Sequence, residues 1–271
     1  MKIGGAKTPF VGKLSFRAKR RISMYIEIPH FVRDDKGAFS PILKLIFMLN
    51  KDVWIVIPAH NEQDNIFGVI KSVQELTPNI VVVNDASIDR TRDIVKALGV
   101  YLLEHLVNRG QGAALQTGTE FALSKGAKII VHFDADGQMQ AKDIYRIITP
   151  ILDQQAEIVF GTRFLVKKSK IPWTKKYFIL KPAILFNWFF TGIKLSDAHN
   201  GFRALSHQAA KAIKITQDNM AHATEILDQV RAHDLNYTEV PVEIIYNQYG
   251  QRFSSGFKII RDLIFARIFR K

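Results

Sequence analysis

The chain has 271 residues, 47% of them hydrophobic, so it can bury the core of one large α/β domain. It contains no cysteine, which excludes disulfide bonds, thiolate zinc sites and cysteine nucleophiles. Its formal net charge of +13 predicts an anionic partner such as a nucleotide, a nucleic acid or an acidic membrane surface.

Residues 1–50 form a basic N-terminal extension ahead of the predicted domain. Residues 1–26 carry lysines and arginines but no acidic side chain. No apolar stretch of signal-peptide length follows them, so a cytoplasmic location is expected. A short strand over 22–28 and a short apolar helix over 41–50 are predicted. The extension is interpreted either as a poorly ordered arm or as a contact to a membrane surface.

The domain itself is predicted to span 51–247 and to alternate strands with helices. Apolar runs predict strands over 53–57, 79–83, 101–104, 128–134 and 157–162, with Pro58 ending the first. Helices are predicted from 64 to 76, from the turn at 85–91 to 98, from 112 to 125, and from 143 to 152. This alternation indicates right-handed βαβ units, and therefore an α/β fold with a mostly parallel sheet and helices on both faces.

The stretch HFDADGQ, residues 132–138, follows the apolar run 128–131 of the fourth predicted strand. Asp134 and Asp136 would lie at the carboxyl edge of the sheet, where open α/β folds bind ligands. Gly137 allows an immediate turn, which brings the amide oxygen of Gln138 near the same point. Two carboxylates and an amide oxygen are hard ligands that suit Mg²⁺ or Mn²⁺ carrying a diphosphate. The alternative interpretation is a solvated Asp-Gly turn that caps a strand.

Other polar turns also follow predicted strands, at Pro58–Glu62, Asn84–Ser87, Asn108–Gly112 and Gly161–Arg163. Together with DADGQ they resemble, in order and spacing, the donor-binding half of family-2 glycosyltransferases with the GT-A fold. The resemblance covers roughly 53–247. The block SDAHNGFR, 196–203, is similar to the segment that follows the donor domain in polyprenyl-phosphate sugar transferases, of which the dolichol-phosphate mannose synthase group is the best-known branch.

The resemblance implies roles for individual residues. It implies contacts to the nucleotide-sugar from Pro58, His60, Glu62, Asp85, Asp134, Ala135, Asp136, Gln138 and Arg163. It implies that Asp134, Asp136 and Gln138 hold the metal that bridges two phosphates. The implied catalytic residues are Asp136, Arg163, Arg203 and Asp197.

Some of these roles have structural alternatives. His60 stands where the family more often has Tyr or Phe, so this position does not predict which nucleotide base is bound. Arg163 and Arg203 would face phosphate, to which a planar guanidinium can bind bidentately, or would form surface salt bridges. Asp197 could instead cap a helix.

The role of Glu225 bears on whether the acceptor is a phosphate or a hydroxyl. On a helix it shares a face with His222, so the pair could approach the acceptor or form a local hydrogen bond. A phosphate acceptor is already a nucleophilic anion, whereas a sugar hydroxyl needs a carboxylate base. The preferred interpretation is metal-dependent, inverting transfer of a sugar from a UDP- or GDP-linked donor to polyprenyl phosphate, without nucleic acid as a partner.

Three alternatives remain open from the sequence. The first is transfer to a glycan hydroxyl, which would require a carboxylate base near the donor sugar. The second is a sugar-1-phosphate nucleotidyltransferase, although Pro58–Glu62 lacks the Gly-rich basic loop usual in that class. The third is a non-catalytic basic protein that binds nucleic acid or a membrane.

Two segments predict membrane contact. Lysines surround Ile171-Pro172-Trp173 and precede the apolar run 184–190, a pattern typical of a helix in the headgroup layer and too short to span a bilayer. In the basic amphipathic tail, 248–271, Phe and Ile recur at helical spacing among lysines and arginines. We therefore expect peripheral contact with a membrane, or with a membrane partner protein. The alternative is that these helices dock on the domain.

Overall fold

The structure, a computed structural model, describes residues 52–163, 192–193, 195–197, 200–218 and 221–245. The predicted N-terminal extension, the lysine- and aromatic-rich segment over 167–190 and the tail over 248–271 lie outside the described residues, so the expectations for them stay predictions. Among the residues that are described, no helix is long and apolar enough to cross a membrane.

In the part of the chain that the structure describes, seven strands form one mixed sheet. They are β1 (Val53–Ala59), β2 (Ile80–Asp85), β3 (Tyr101–His105), β4 (Ile129–His132), β5 (Ile158–Thr162), β6 (Arg203–Ser206) and β7 (Tyr237–Pro241). Their order across the sheet is β3-β2-β1-β4-β6-β5-β7. Neighbours pair in parallel except at β6, which is antiparallel to both β4 and β5. The α/β class and the mostly parallel sheet are confirmed, whereas β6 was not among the predicted strands.

Within the described residues, six helices connect or flank these strands. They are α1 (Ile66–Gln74), α2 (Thr91–Ala97), α3 (Gln111–Ser124), α4 (Asp143–Leu152), α5 (His207–Ala212) and α6 (His222–Ala232). α1 begins two residues after the predicted start at Asp64, and Asn65, which occupies the cap position, makes no side-chain capping hydrogen bond. The amide of Asn65 donates instead to the carboxylate of Glu62 at 3.0 Å, which ties the turn after β1 to the helix.

The central strands are buried along their whole length, as strands covered on both faces should be. One core cluster joins Trp54 and Val56 of β1 to Leu115 of α3, Ala209 of α5 and Ile226 of α6. Because side chains alternate along a strand, Ile57 of β1 points to the opposite face, where it is also fully buried. The core therefore lies on both sides of the sheet and fixes the strand ends that carry the polar turns.

The prediction that Pro58 ends the first strand was wrong, because β1 continues to Ala59. The carbonyl of Val56 accepts from Phe133 at 3.0 Å, so Val56 and Pro58 turn their backbone groups toward β4. The pairing of β1 with β4 ends at Val56 and His132. The missing N–H of Pro58 therefore removes no ladder hydrogen bond, and the pairing with β2 continues.

Candidate active site

The polar turns predicted from the sequence meet at one edge of the sheet. The strands β1 to β5 run in the same direction, so their carboxyl ends share this edge. β6 runs the other way and therefore brings its amino end, Arg203, to the same edge. Arg203 pairs across the sheet with His132 of β4 and with Phe160 of β5. Asp134 follows His132 by two residues, so the acidic motif and Arg203 are neighbours.

Asp85 fastens the loops of this edge to one another. It is 3% exposed. Its Oδ1 accepts from His105 Nδ1 (2.7 Å) and from the backbone N–H of Arg109 (2.9 Å), and its Oδ2 accepts from the N–H of Gly110 (2.6 Å). A carboxylate offers about four acceptor sites, so these three bonds leave about one for the predicted contact to a nucleotide base. Asp85 therefore anchors the loop after β3, and its contact to the base stays a prediction.

His60 is exposed at the end of β1 and is held at both ring nitrogens. Nδ1 lies 2.7 Å from the backbone carbonyl oxygen of Asp85, which requires the proton on Nδ1. Nε2 then accepts from the side-chain amides of Asn61 and Asn108, each at 3.0 Å. The ring is thus fixed at its edge while its faces stay available for the predicted stacking against ribose or base.

The DADGQ turn folds back on itself. Gly137 has φ +74°, which favours glycine, and the N–H of Gln138 donates to Oδ1 of Asp136 at 3.0 Å. The side-chain amide of Gln111, at the start of α3, donates to Oδ1 of Asp134 at 2.8 Å. A Cβ on Gly201 would lie 2.5 Å from Oδ2 of Asp134, so the backbone before β6 packs directly on this carboxylate.

The acidic side chains at this edge repel one another. Burial, and then the Asp136 carboxylate, raise the pKa of Asp134 to about 6, while Arg203 and Gln111 oppose the change. The pKa of Glu62 is also raised, first by burial and then by Asp136 and other acids, against the lowering effect of its bond from Asn65. A divalent cation would relieve this repulsion, so the electrostatics of the site favour cation binding.

The residues present fit Mg²⁺ or Mn²⁺ as partial ligands. Within the described part of the chain, no three His, Cys, Asp or Glu side chains are arranged to enclose a metal by themselves. Mg²⁺ commonly takes one or two carboxylates from the protein and completes its octahedron with phosphate oxygens and water. Asp134 and Asp136 could serve in this way, with Gln138 as the further predicted ligand.

Arg203 is 2% exposed, so it forms no surface salt bridge, and its predicted contact with phosphate stays a prediction. Its Nε and Nη2 donate to the backbone carbonyls of Gly201 and Asn200, both at 3.3 Å, and Nη1 has no partner among the described residues. Burial lowers the pKa of Arg203 to about 10, while the Asp134 carboxylate opposes the change. Arg203 therefore acts electrostatically on Asp134.

His132 lies beside Arg203 and is also buried. Its Nε2 is 3.0 Å from the hydroxyl of Thr119, and its Nδ1 has no partner among the described residues. Burial and the neighbouring Arg203 and His222 hold the pKa of His132 well below its usual range. His132 is therefore neutral at physiological pH, and Arg203 carries the positive charge of this buried cluster.

Arg163 and Asp197 form a pair with each other. Nε and Nη2 of Arg163 donate to the two carboxylate oxygens of Asp197, each at 2.6 Å, and the backbone N–H of Arg163 adds a bond at 3.2 Å. The Asp197 side chain is 3% exposed and that of Arg163 is 29% exposed. The backbone N–H groups of Ser196 and Asp197 donate to Glu239 of β7. Asp197 thus orients Arg163, and it caps no helix in the described part of the chain.

Glu225 is buried in the first turn of α6, at 4% exposure. Its carboxylate accepts from the N–H and the hydroxyl of Thr216 (2.9 and 2.5 Å) and from the N–H of Gln217 (2.9 Å). The loop that it holds presses on the start of α3, where a Cβ on Gly112 would lie 2.0 Å from the carbonyl oxygen of Gln217. Glu225 therefore organises the loop that packs on the start of α3, and three protein donors bond its carboxylate.

Comparison with known proteins shows the family to which the chain belongs. The profile described as glycosyl transferase family 2 matches residues 54–214, which is more than half of the chain. The chain belongs to glycosyl transferase family 2. The predicted family and the assignment as a glycosyltransferase are therefore confirmed, and the alternatives of a nucleotidyltransferase and a non-catalytic binder are excluded.

Individual relatives of this glycosyltransferase cover most of its length. The UDP-N-acetylglucosamine–dolichyl-phosphate N-acetylglucosaminyltransferase of Methanococcus voltae is 32% identical, over 82% of this chain and 98% of the relative. The polyprenol monophosphomannose synthase of Mycolicibacterium smegmatis is 26% identical, over 78% of this chain and 83% of the relative. The glucosyl-3-phosphoglycerate synthase of Mycobacterium tuberculosis, solved with Mn²⁺, UDP-glucose and phosphoglyceric acid, superposes with a TM-score of 0.64 at 16% identity, over 85% of this chain and 83% of that one. The predicted GT-A fold is thereby confirmed.

Sequence reasoning missed two residues of this glycosyltransferase site. Gln111 lies in the predicted polar turn Asn108–Gly112 without a role of its own, yet its side chain bonds Asp134. His132 was treated as part of an apolar strand, yet it lies against Arg203. A usable signal was present, because Gly110-Gln111-Gly112 follows a strand and so had to lie at the carboxyl edge. Pro58 and Ala135 are both buried, and their predicted contacts to the nucleotide-sugar stay predictions.

Proposed function

We propose that this glycosyltransferase transfers a sugar from a UDP- or GDP-linked donor to polyprenyl phosphate at the cytoplasmic face of a membrane. An oxygen of the acceptor phosphate attacks the anomeric carbon, and the bond from that carbon to the diphosphate oxygen breaks. Attack in line with the leaving group inverts the anomeric centre. The reaction leaves a nucleoside diphosphate and a polyprenyl-phosphate sugar.

The donor half of the proposal is supported by the acidic motif at the carboxyl edge. Asp134 and Asp136, with Gln138, would hold a divalent cation, which when bound acts as a Lewis acid on the leaving diphosphate. His60 offers a ring face to the nucleoside, and Asp85 fixes the loops around it. A relative named for a UDP-sugar supports uridine as the first base to test.

The acceptor half rests on one observation, which is that the two carboxylates that could act as a base, Asp197 and Glu225, are both buried and bonded to protein donors. Asp197 accepts three bonds from Arg163, and Glu225 accepts three from Thr216 and Gln217. A hydroxyl acceptor needs a carboxylate that is free to take its proton, whereas a phosphate monoester does not. The names of two relatives, which specify dolichyl phosphate and a polyprenol, point the same way.

The two arginines have different proposed roles. The side chain of Arg163 is partly exposed and is oriented by Asp197, so we assign to it the contact with phosphate. Arg203 is buried, so it acts through Asp134 as a positioning residue. This division follows from exposure, since only a group that reaches the cleft can touch a substrate.

The test is an assay of the purified full chain with Mn²⁺, polyprenyl phosphate and a panel of radiolabelled UDP- and GDP-sugars. We expect label in the organic phase with one donor, and none when polyprenol without phosphate replaces the acceptor. The fall in turnover at low pH should be the same in Asp197→Asn and Glu225→Gln as in the wild type. Label in polymer, or loss of this fall in either variant, would favour transfer to a glycan hydroxyl instead.

A further inference from the structure

Three aliphatic side chains stand out from the carboxyl edge without covering. Leu106 is 99% exposed, Ile88 is 93% exposed and Val107 is 65% exposed. Ile88 belongs to the loop after β2, and Leu106 and Val107 belong to the loop after β3. Asp85 and His105, at the ends of these neighbouring strands, are register partners, so the two loops start side by side. We call Ile88, Leu106 and Val107 the apolar tip.

The loop that carries Leu106 and Val107 is fastened at both ends to a single atom. His105 Nδ1 and the backbone N–H of Arg109 both donate to Oδ1 of Asp85, at 2.7 and 2.9 Å. The three residues between them, 106–108, therefore form a short closed loop that carries Leu106 and Val107. A loop held in this way presents its side chains in a fixed position.

The second loop is held in a similar way. The backbone N–H of Ile88 donates to the side-chain oxygen of Asn61 at 2.9 Å, and the N–H of Asn61 donates to the hydroxyl of Ser87 at 2.9 Å. The acidic residue of this loop, Asp89, accepts from the backbone N–H groups of Gln63 and Thr91. The exposure of Ile88 is thus also imposed by a hydrogen-bonded framework.

This placement needs an explanation, because exposed aliphatic side chains are ordinary when scattered but mark interaction sites when clustered. Here they lie on the same edge of the sheet as Asp134 and Asp136. Two arginines follow them closely in sequence: Arg90 is exposed, and the Arg109 side chain is 52% exposed and pairs with the half-exposed Asp218 at 3.5 Å. Aliphatic side chains bordered by arginines suit the boundary between lipid headgroups and acyl chains.

We infer that the apolar tip inserts into the headgroup layer of a phospholipid bilayer and so holds the catalytic edge against the membrane. The inference rests on the proposed function, since a polyprenyl phosphate presents its phosphate at the bilayer surface. That phosphate can reach the DADGQ turn only if the carboxyl edge faces the bilayer. The tip on that edge therefore sets the orientation in which donor and acceptor meet.

The chain contains no cysteine, so a single introduced cysteine can be labelled without interference. Leu106→Cys in the full chain would carry an environment-sensitive fluorophore, and Tyr237→Cys is the matched control. Tyr237 is 38% exposed and begins β7, so it lies at the opposite edge of the sheet. With vesicles of phosphatidylcholine and phosphatidylglycerol in equal parts, we expect a blue shift at position 106 that a quencher in the acyl chains suppresses, and no shift at 237.

A second measurement links insertion to turnover. Ile88→Ser combined with Leu106→Ser should raise the vesicle concentration for half-maximal binding by about tenfold or more. It should leave turnover of a short, water-soluble acceptor phosphate unchanged, and Tyr237→Ser should change neither quantity. No vesicle-dependent shift at position 106 would overturn the inference.

Other results would assign the tip to a different occupant. A shift caused by raising the protein concentration without vesicles would show contact with a second copy, and a shift caused by nucleotide alone would make the tip a wall of the donor site. Either would overturn the inference. If position 106 inserts but the wild type forms no glycolipid from any donor, the proposed acceptor fails while membrane insertion stands, so the two failures are distinguishable.

Discussion

Arg203→Met should separate two roles that a buried arginine beside Asp134 can play. The side chain is 2% exposed, and its two hydrogen bonds to carbonyl oxygens are both 3.3 Å long. Burial lowers the pKa of Arg203 to about 10, which corresponds to about 3 kcal/mol against the charged form. The fold therefore keeps a cation where it reduces stability, which is the pattern expected of a functional residue.

The role that we assign to Arg203 is to keep Asp134 ionised. Burial already raises the pKa of Asp134 to about 6 with Arg203 present, so removing the cation should raise that pKa further. A protonated carboxyl is a poor ligand for a divalent cation. We expect Arg203→Met to lower Mn²⁺-dependent turnover near pH 7 by about tenfold or more, since each decade corresponds to about 1.4 kcal/mol. The free energy of unfolding should stay within about 2 kcal/mol of the wild type, because an apolar side chain of similar volume replaces a buried charge.

The assay is turnover as a function of pH and Mn²⁺ for the wild type, Arg203→Met and Arg203→Lys, with denaturant unfolding of each. Because Asp134 regains its charge at higher pH, the deficit of Arg203→Met should shrink between about pH 7 and about pH 9. Arg203→Lys keeps the charge and should show a smaller change with pH. A deficit of equal size at every pH would mean that Arg203 contacts phosphate directly, and wild-type turnover at pH 7 would refute a functional role altogether.

The raised pKa of Asp134 stabilises the metal-free protein below the ordinary carboxyl pKa, and this stabilisation is lost as pH rises through about 6. The free energy of unfolding, measured with denaturant and without metal, should therefore fall by about 1 kcal/mol between about pH 5 and about pH 7 because of this group. Mn²⁺ should restore the stability, and no effect of Mn²⁺ at pH 7 would contradict this. Asp136→Asn should abolish metal-dependent turnover but leave the melting temperature near that of the wild type, and near-normal activity at low Mn²⁺ would reduce DADGQ to a turn. Glu225→Gln should cost about 1–3 kcal/mol in unfolding free energy, because its amide would face donors of Thr216 and Gln217, and an unchanged melt would show that these bonds contribute little. Deleting 256–271 should weaken sedimentation with acidic vesicles and lower turnover of long-chain acceptors, and unchanged sedimentation would leave the tail without a membrane role.

The parallel part of the sheet could be predicted because its strands are buried on both faces and so appear as continuous apolar runs. Val53–Ala59 and Ile80–Asp85 are buried at every position, and each is followed by a polar turn. That pattern was sufficient to predict that Asp85 and Asp134 share one edge. The distances from Asp85 and Asp134 to the side chains around them could not be predicted, since these distances depend on the long-range register of β2 with β3 and of β4 with β6.

The strand β6 could not be predicted on the same grounds. It has only four residues and begins with an arginine, so its sequence shows neither a long apolar run nor a clean alternation. A charged residue at such a position is normally assigned to the surface, because arginine is rarely buried without a partner. The compensating charge here is the Asp134 carboxylate, which is remote in sequence, so the burial of Arg203 depends on tertiary structure alone.

The direction of β6 explains how a distant segment can place a cation beneath the acidic motif. The strands β1, β2, β4 and β5 reach this edge with their carboxyl ends, where the chain leaves the sheet and turns outward. A further parallel strand would bring its amino end to the opposite edge, so its first residue could not lie beside Asp134. Because β6 is antiparallel, its first residue, Arg203, pairs with His132 and lies under the DADGQ turn, while Gly201 just before it packs on the Asp134 carboxylate. Among the described strands, the reversed β6 therefore lets the fold place a buried positive charge next to Asp134, one of the two carboxylates that we propose bind a cation.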